Sequence, residues 1–295
     1  MALEIKQLHR DFVAEIGSVD LSKPISSEAL AELQQAIDRY AVLVFHGPRL
    51  SEEDQAEFAL RFGELESQNG VLTTDVKRRI SPKLVDISNL DEDNKVLGRE
   101  DRRRMFALGN QLWHTDSSFK RVPAKYSLLH AHSVTPEGGE TQLVDMRAAY
   151  DRLSPKMKAR VDGRIVEHSI FTSRAKLGFT EFSAEERRTL PPVHRDLVRV
   201  HPGSGRNSLY LASHASHIVG EPLPDGRMLI ADLMEQATLP EHVYTHRWAV
   251  GDLVMWDNRC TMHRGRPYDE AANRRDMRRA TTLDRDPAAA DKRVA

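Results

Sequence analysis

The sequence predicts a mainly β fold: a sandwich or jelly-roll core with helices packed outside it. Two observations carry this. From Trp113 onward, short apolar and β-branched runs alternate with turn signals and are separated by long insertions. Helical periodicity is confined to two segments near the start and one late segment.

Taken in order, Ser27-Glu28-Ala29-Leu30 opens an amphipathic run through Ile37, with Ser27 as the expected N-cap. Ala41-Val42-Leu43-Val44-Phe45 reads as a buried strand ended by Gly47-Pro48. Ser51-Glu52-Glu53-Asp54 caps a second helix, with Phe58, Leu60 and Phe62 downstream. Residues 64–110 are polar and irregular and include Arg102-Arg103-Arg104; a stretch of that length is expected to be a lid or else a mobile surface excursion. Strands are expected at Tyr126 to Ala131, Thr141 to Val144, Leu197 to Val200, Ser208 to Ala212, Gly251 to Trp256 and Met277 to Leu283, and a helix at Arg227 to Gln236. The tail from Asp286 to Ala295 is expected to fray. With no internal repeat or linker, residues 1–295 read as one domain.

Composition narrows the function classes. The chain is 40% hydrophobic and 29% charged, as in soluble globular proteins. A net charge of −1 gives no global field for nucleic acid or an anionic membrane. No apolar run approaches the ~20 residues of a membrane helix, and the N-terminus lacks a signal-peptide pattern. Cys260 is the only cysteine, which excludes an internal disulfide and suits a reducing cytosol. The expected setting is cytoplasmic.

His114-Thr115-Asp116, followed much later by His263, is the pattern that points to chemistry. Two histidines and a carboxylate can hold one face of an iron(II) ion and leave the other positions open. On a strand, residues 114 and 116 would share a face. Two other H-x-D triplets, His9-Arg10-Asp11 and His194-Arg195-Asp196, are expected to be decoys. The second mimics a kinase catalytic loop, but no phosphate loop accompanies it. Arg274 stands eleven residues after His263. If residues 274 to 278 form a strand, Arg274, Asp276 and Arg278 share one face, and Arg275 and Arg279 the other.

The chain resembles the taurine dioxygenase group of Fe(II)/2-oxoglutarate-dependent dioxygenases, most closely its 2,4-dichlorophenoxyacetate branch. The resemblance runs from about Asp20 to Asp284. It is carried by Asn110 through Phe119, Asp145-Met146-Arg147-Ala148-Ala149-Tyr150-Asp151, His214-Ala215-Ser216-His217, Gly251 through Cys260, and Arg278-Arg279-Ala280-Thr281-Thr282-Leu283. It implies a double-stranded β-helix core and His114, Asp116 and His263 as iron ligands. It also implies Thr141 and Arg274 on the distal carboxylate of 2-oxoglutarate, O2 as the second co-substrate, and Arg278 on the substrate anion. A guanidinium and a hydroxyl suit a carboxylate, since both donate to it. Relatives commonly assemble as homo-oligomers.

Further candidates are Trp256 beside the co-substrate, and Lys95, His201 and His214 (with His217) at the substrate. Each has an ordinary alternative: a solvated loop lysine, satisfied polar histidines, a core aromatic. His130-Ala131-His132 reads equally as a second metal pair or as an alternating strand. The expected reaction is oxidative cleavage of an aryloxyacetate, such as 2,4-dichlorophenoxyacetate, to a phenol and glyoxylate, with succinate and CO2 from 2-oxoglutarate. Taurine-like sulfonates and sulfate esters remain open within the class. Outside it stand a non-catalytic metal-binding jelly roll and a hydrolytic zinc site, the latter without an evident general base.

Overall fold

The fold is organised by a seven-stranded sheet that buries both faces. The structure, a computed structural model, describes residues 3–47, 49–67 and 78–294. Its strands are β1 (Glu4–Gln7), β2 (Ala14–Gly17), β3 (Val42–Phe45), β4 (Val85–Asp86), β5 (Ala124–Ser133), β6 (Thr141–Asp145), β7 (Ile165–His168) and β8 (Val193–Asp196). They continue with β9 (Val198–Val200), β10 (Asn207–Leu209), β11 (Ala215–Ile218), β12 (Tyr244–His246), β13 (Leu253–Asp257), β14 (Thr261–Gly265) and β15 (Asp276–Leu283). The large sheet runs β1-β2-β3-β13-β5-β15-β4, and β12-β6-β14 and β11-β7-β8 form the opposing sheets. This is the double-sheeted jelly-roll core expected from the sequence.

Alternation assigns the two faces of the large sheet. Leu43, Phe45, Leu128, Leu253, Met255 and Ala280 share one core with α1 (Ser27–Tyr40) and α2 (Glu52–Leu60). Val42, Val44, Leu129, Val254, Trp256 and Met277 point the other way and meet Leu143 of β6. Neighbouring Val144 belongs to a third core beneath the helix Leu223–Ala237. Period-two side-chain direction thus divides consecutive residues between different cores.

Local chemistry explains the boundaries. Ser26, one residue before the expected Ser27, caps α1 by accepting from the Ala29 N–H at 3.2 Å. At α2, Ser51 and Asp54 form a reciprocal capping box. The late helix starts earlier than Arg227 because prolines are tolerated in a first turn. Where only irregular chain was expected between 64 and 110, the described residues include β4, α3 (Arg102–Ala107) and a 3-10 turn at Leu108–Gln111; residues 68–77 lie outside the described set.

The tail does not fray over its described residues. Ala289 is buried and Asp291 nearly so. The Asp291 carboxylate accepts from the His194 N–H at 2.9 Å, and Lys292 pairs with Asp196 at 3.0 Å. The decoy triplet at 194–196 is therefore a docking strand, with buried Arg195 bound to the carbonyls of Ser118, Lys120 and Ala289.

His168, fully buried on β7, contacts Ser118 Oγ through Nδ1 at 3.1 Å. Burial first, then Arg195 and Arg199, lowers its pKa to about 3. The unfolded chain takes up this proton below the ordinary value near 6.5 and the folded chain does not, so stability is lost as pH falls from there towards 3. Metal-free protein should lose about 1.4 kcal/mol of unfolding free energy per pH unit below about pH 6 from this group. Denaturant titrations should show a shallower slope in His168→Gln; equal slopes would refute the assignment.

Candidate active site

The site begins as a backbone contact. The His114 N–H donates to the His263 carbonyl at 2.9 Å, and the His263 N–H returns to the His114 carbonyl at 2.8 Å. This isolated bridge attaches the segment after the 3-10 turn to β14 and sets the two imidazoles 4.2 Å apart, centre to centre. The chain then turns, with Ser117 at a positive φ of 53°, so Asp116 arrives from a turn and not from the expected strand.

The carboxylate faces both rings. Asp116 Oδ1 lies 3.8 Å from His114 Nε2 and Oδ2 lies 3.6 Å from His263 Nε2. These gaps exceed a hydrogen bond and fall within the span of about 4.2 Å open to two donors that each sit about 2.1 Å from one ion. The Leu112 carbonyl accepts from His114 Nδ1 at 2.7 Å, which fixes the tautomer and leaves Nε2 as a ligand atom. Ser127 Oγ donates to Asp116 Oδ2 at 2.8 Å, Asn258 Nδ2 donates to Ser127 at 2.9 Å, and Trp256 Nε1 donates to Asn258 Oδ1 at 3.1 Å. Ser127 on β5 and Asn258 in the turn after β13 are not among the residues expected from the sequence, where their only signal is nearness to the triad's strands.

Electrostatics prepare the same three groups. Burial pushes the Asp116 carboxyl up, but Arg279, His263, His114 and Ser127 outweigh it and hold it well below the usual carboxylate range. Burial lowers the pKa of His114, and burial with His114 beside it lowers that of His263. A charged carboxylate and two neutral imidazoles are the protonation states a divalent metal requires. The donor set fits Fe(II).

Another trio, His201, Asp257 and Cys260, is also close enough for a metal. Its donors are already engaged: Asp257 Oδ2 meets His201 Nε2 at 2.9 Å and Arg259 Nη2 at 2.6 Å. Burial raises the Cys260 thiol well above its ordinary value, so it keeps its proton. This group is structural, and His201 lies in it, away from the cavities.

Two cavities meet at the triad. One of about 120 Å³ holds Thr141, Trp256, His263, Tyr268 and Arg275. Gly138 and Gly139, with φ of 72° and 71°, make the turn that delivers Thr141; a Cβ on Gly138 would stand 2.4 Å from the Pro267 carbonyl oxygen. Trp248 Nε1 donates to Thr141 Oγ1 at 3.0 Å, leaving the hydroxyl hydrogen for another acceptor. Trp256 stands against His263, ring centres 4.5 Å apart. The other cavity, about 360 Å³, holds Phe119, Ile170, Arg174, His214 and Asp116, and shares His114 and Arg279 with the smaller one. Described residues from 78 to 110 wall both.

The arginine assignments need correction by one residue. Arg274 is exposed; Arg275 is buried in the smaller cavity and donates to the Gly139 carbonyl at 3.2 Å. Arg278 turns to the opposite face, pairing with Glu52 at 2.5 Å and Asp276 at 3.1 Å. Arg279 enters the site and contacts Asp116. Eleven residues from His263 is not a rigid measure, because loop residues 266–275 intervene before β15. In a strand a one-residue change moves every side chain to the other face.

Of the remaining candidates, His214 lines the larger cavity, its ring 4.7 Å from Phe119. Lys95 is exposed just after a turn, its N–H donating to Asp91 Oδ1 at 2.8 Å and its carbonyl accepting from the Asp91 N–H, and lines neither cavity. His217 pairs with Glu167 at 3.7 Å. His130 and His132 lie 3.1 Å apart, ring nitrogen to ring nitrogen, with no third metal donor among the described residues.

Over residues 4–281 the chain matches the family described as "Taurine catabolism dioxygenase TauD, TfdA family", and it belongs to that family. It is 46% identical, over 96% of its length and 99% of the relative's, to the alpha-ketoglutarate-dependent 2,4-dichlorophenoxyacetate dioxygenase of Cupriavidus pinatubonensis. It is 35% identical to the (S)-phenoxypropionate/alpha-ketoglutarate-dioxygenase of Sphingobium herbicidovorans, over 92% of each chain. The crystal structure of AAD-2 in complex with Mn(II) and N-oxalylglycine superimposes with a TM-score of 0.95 at 48% identity, covering 98% of this chain and 100% of that one.

Asp116→Ala should abolish stoichiometric Mn(II) binding measured by calorimetry, whereas Asp257→Asn should retain it whenever the variant folds. Metal binding surviving in Asp116→Ala would place the ion elsewhere.

Proposed function

We propose that this chain is an Fe(II)- and 2-oxoglutarate-dependent dioxygenase that cleaves an aryloxyacetate such as 2,4-dichlorophenoxyacetate. The observation that carries this reading is Arg275. It is a buried cation with no carboxylate at ion-pair distance among the described residues, and it shares a small cavity with Thr141 and the ligand face of His263. A keto acid laid along that cavity puts its distal carboxylate on Arg275 and Thr141 and its other end at the metal. Identity to the 2,4-dichlorophenoxyacetate and phenoxypropionate enzymes favours an aryloxy acid as substrate.

Bound by His114, Asp116 and His263, Fe(II) with 2-oxoglutarate supplies O2-driven oxidation of a substrate C–H. One oxygen atom passes into succinate, with release of CO2, and the other into the substrate as a hydroxyl. The side chains position these groups. Arg279, which lines the smaller cavity together with Arg275, receives the substrate carboxylate beside Asp116. Phe119 and His214 wall the aromatic end, and residues 78–110 act as the lid of one domain. Hydroxylation next to the ether oxygen gives a hemiacetal, which collapses to the phenol and glyoxylate. The cytoplasm, which keeps iron ferrous and Cys260 reduced, suits this chemistry.

Phenol and succinate should appear in equal amounts from 2,4-dichlorophenoxyacetate, and turnover of taurine in preference to it would overturn the substrate assignment. Arg275→Ala should raise the 2-oxoglutarate KM on the order of a hundredfold, about 3 kcal/mol, while Arg274→Ala changes it little. Arg279→Ala should mainly raise the substrate KM and exceed the effect of Arg278→Ala. A larger effect at Arg274 or Arg278 would contradict the assignment.

A further inference from the structure

Several arginines besides Arg279 line the larger cavity, and one of them, Arg174, is used by neither metal nor co-substrate in this scheme. Arg174, near the end of the helix Ile170–Ala175, is only 5% exposed. Its Nη1 donates to Ser173 Oγ at 3.1 Å, its guanidinium carbon lies 4.1 Å over the Phe106 ring, and its Nε has no partner. No carboxylate among the described residues pairs with it, and burial alone draws its pKa down to about 10.

Other buried arginines show what saturation looks like. Arg147 holds the Asp145 carboxylate and the carbonyls of Asp38 and Arg39. Arg259 holds Asp257 and the Tyr126 hydroxyl. A guanidinium has five N–H donors, and leaving them dry in the interior is costly. Arg275 departs from saturation at the co-substrate end and Arg174 at the substrate end. Arg174 is also held in place. It stacks on Phe106, and a Cβ on Gly109 would stand 2.1 Å from Nη1, so only glycine leaves room for the guanidinium there.

We propose that Arg174 determines specificity by receiving an anionic or hydrogen-bond-accepting substituent on the substrate's aromatic ring, away from the carboxylate held by Arg279. The inference rests on the aryloxyacetate reading and narrows it to rings that carry such a group, a nitro or carboxylate for example. Arg279 projects from β15 and Arg174 from the helix, so the two cations address the cavity from different elements. A planar guanidinium suits a planar nitro or carboxylate group through paired donors.

Calorimetry on the inert complex with Mn(II) and N-oxalylglycine tests this without turnover. The probes are phenoxyacetate and its ortho- and para-substituted methyl, nitro and carboxy derivatives. The native complex should bind at least one nitro or carboxy acid about tenfold more tightly than the methyl acid of the same position. Arg174→Met, which keeps an unbranched apolar stem over Phe106, should erase that preference without lowering the melting temperature. Gly109→Ala, which displaces the guanidinium but keeps its charge, should weaken it. An unchanged preference in Arg174→Met, or no preference in the native complex, overturns the proposal. Equal weakening of all probes in Arg174→Met also overturns it, because Arg174 would then hold the shared carboxylate. If phenoxyacetate and its derivatives all fail to bind the native complex, the aryloxyacetate reading falls, and this inference with it.

Discussion

The reciprocal hydrogen bonds between the His114 and His263 backbones hold together everything else in the site. They fasten a turn to β14 so that two rings from distant parts of the chain share one edge. Asp116 follows within the same turn, and its carboxylate is oriented by Ser127 from β5 and, through Asn258, by Trp256 from β13. The two sheets are thereby coupled at the metal donors. Packing that fixes the sheets relative to one another, such as Leu143 against Trp256 and Met277, also fixes the donor set.

Charge is distributed with equal economy. Most buried arginines are saturated by carboxylates or carbonyls and act as struts: Arg147 under α1, Arg195 against the tail, Arg259 beside His201. On β15 alternation separates the two uses. Asp276 and Arg278 join Arg79 and Glu52 in an outer network, while Arg279 and, just before the strand, Arg275 face inward. The outer network also anchors the lid segment at Arg79, which binds Asp86 and Asp276 together. The lid attachment therefore borders the same cavity as Arg279, since Arg79 and Asp86 line it too.

Much of this was legible in the sequence. The jelly-roll class, the two early helices and the triad followed from period-two and period-3.6 patterns, capping residues and the company around His114. Arg274 and Arg278 were misjudged because a count from His263 runs through a loop, and the alternation rule identifies two opposite faces without saying which is inside. Leu129, Trp256 and Met277 decide it, and they do so only through pairing with other strands. The tail was expected to fray because its anchors, Arg195 and the His194 amide, are distant in sequence. His201 and His214 look alike as sequence; one meets Asp257 and the other a cavity. Arg174 carries no sequence signal, since its significance lies in the partners it lacks.

The account turns on a facial metal site that chelates a keto acid anchored by Arg275. The most direct measurement is visible absorption after anaerobic addition of Fe(II) and 2-oxoglutarate to the native protein. A weak visible charge-transfer band, absent with succinate in place of 2-oxoglutarate, is the result the account predicts. Stoichiometric iron binding with no such band would contradict it and leave a metal-binding jelly roll without keto-acid chemistry.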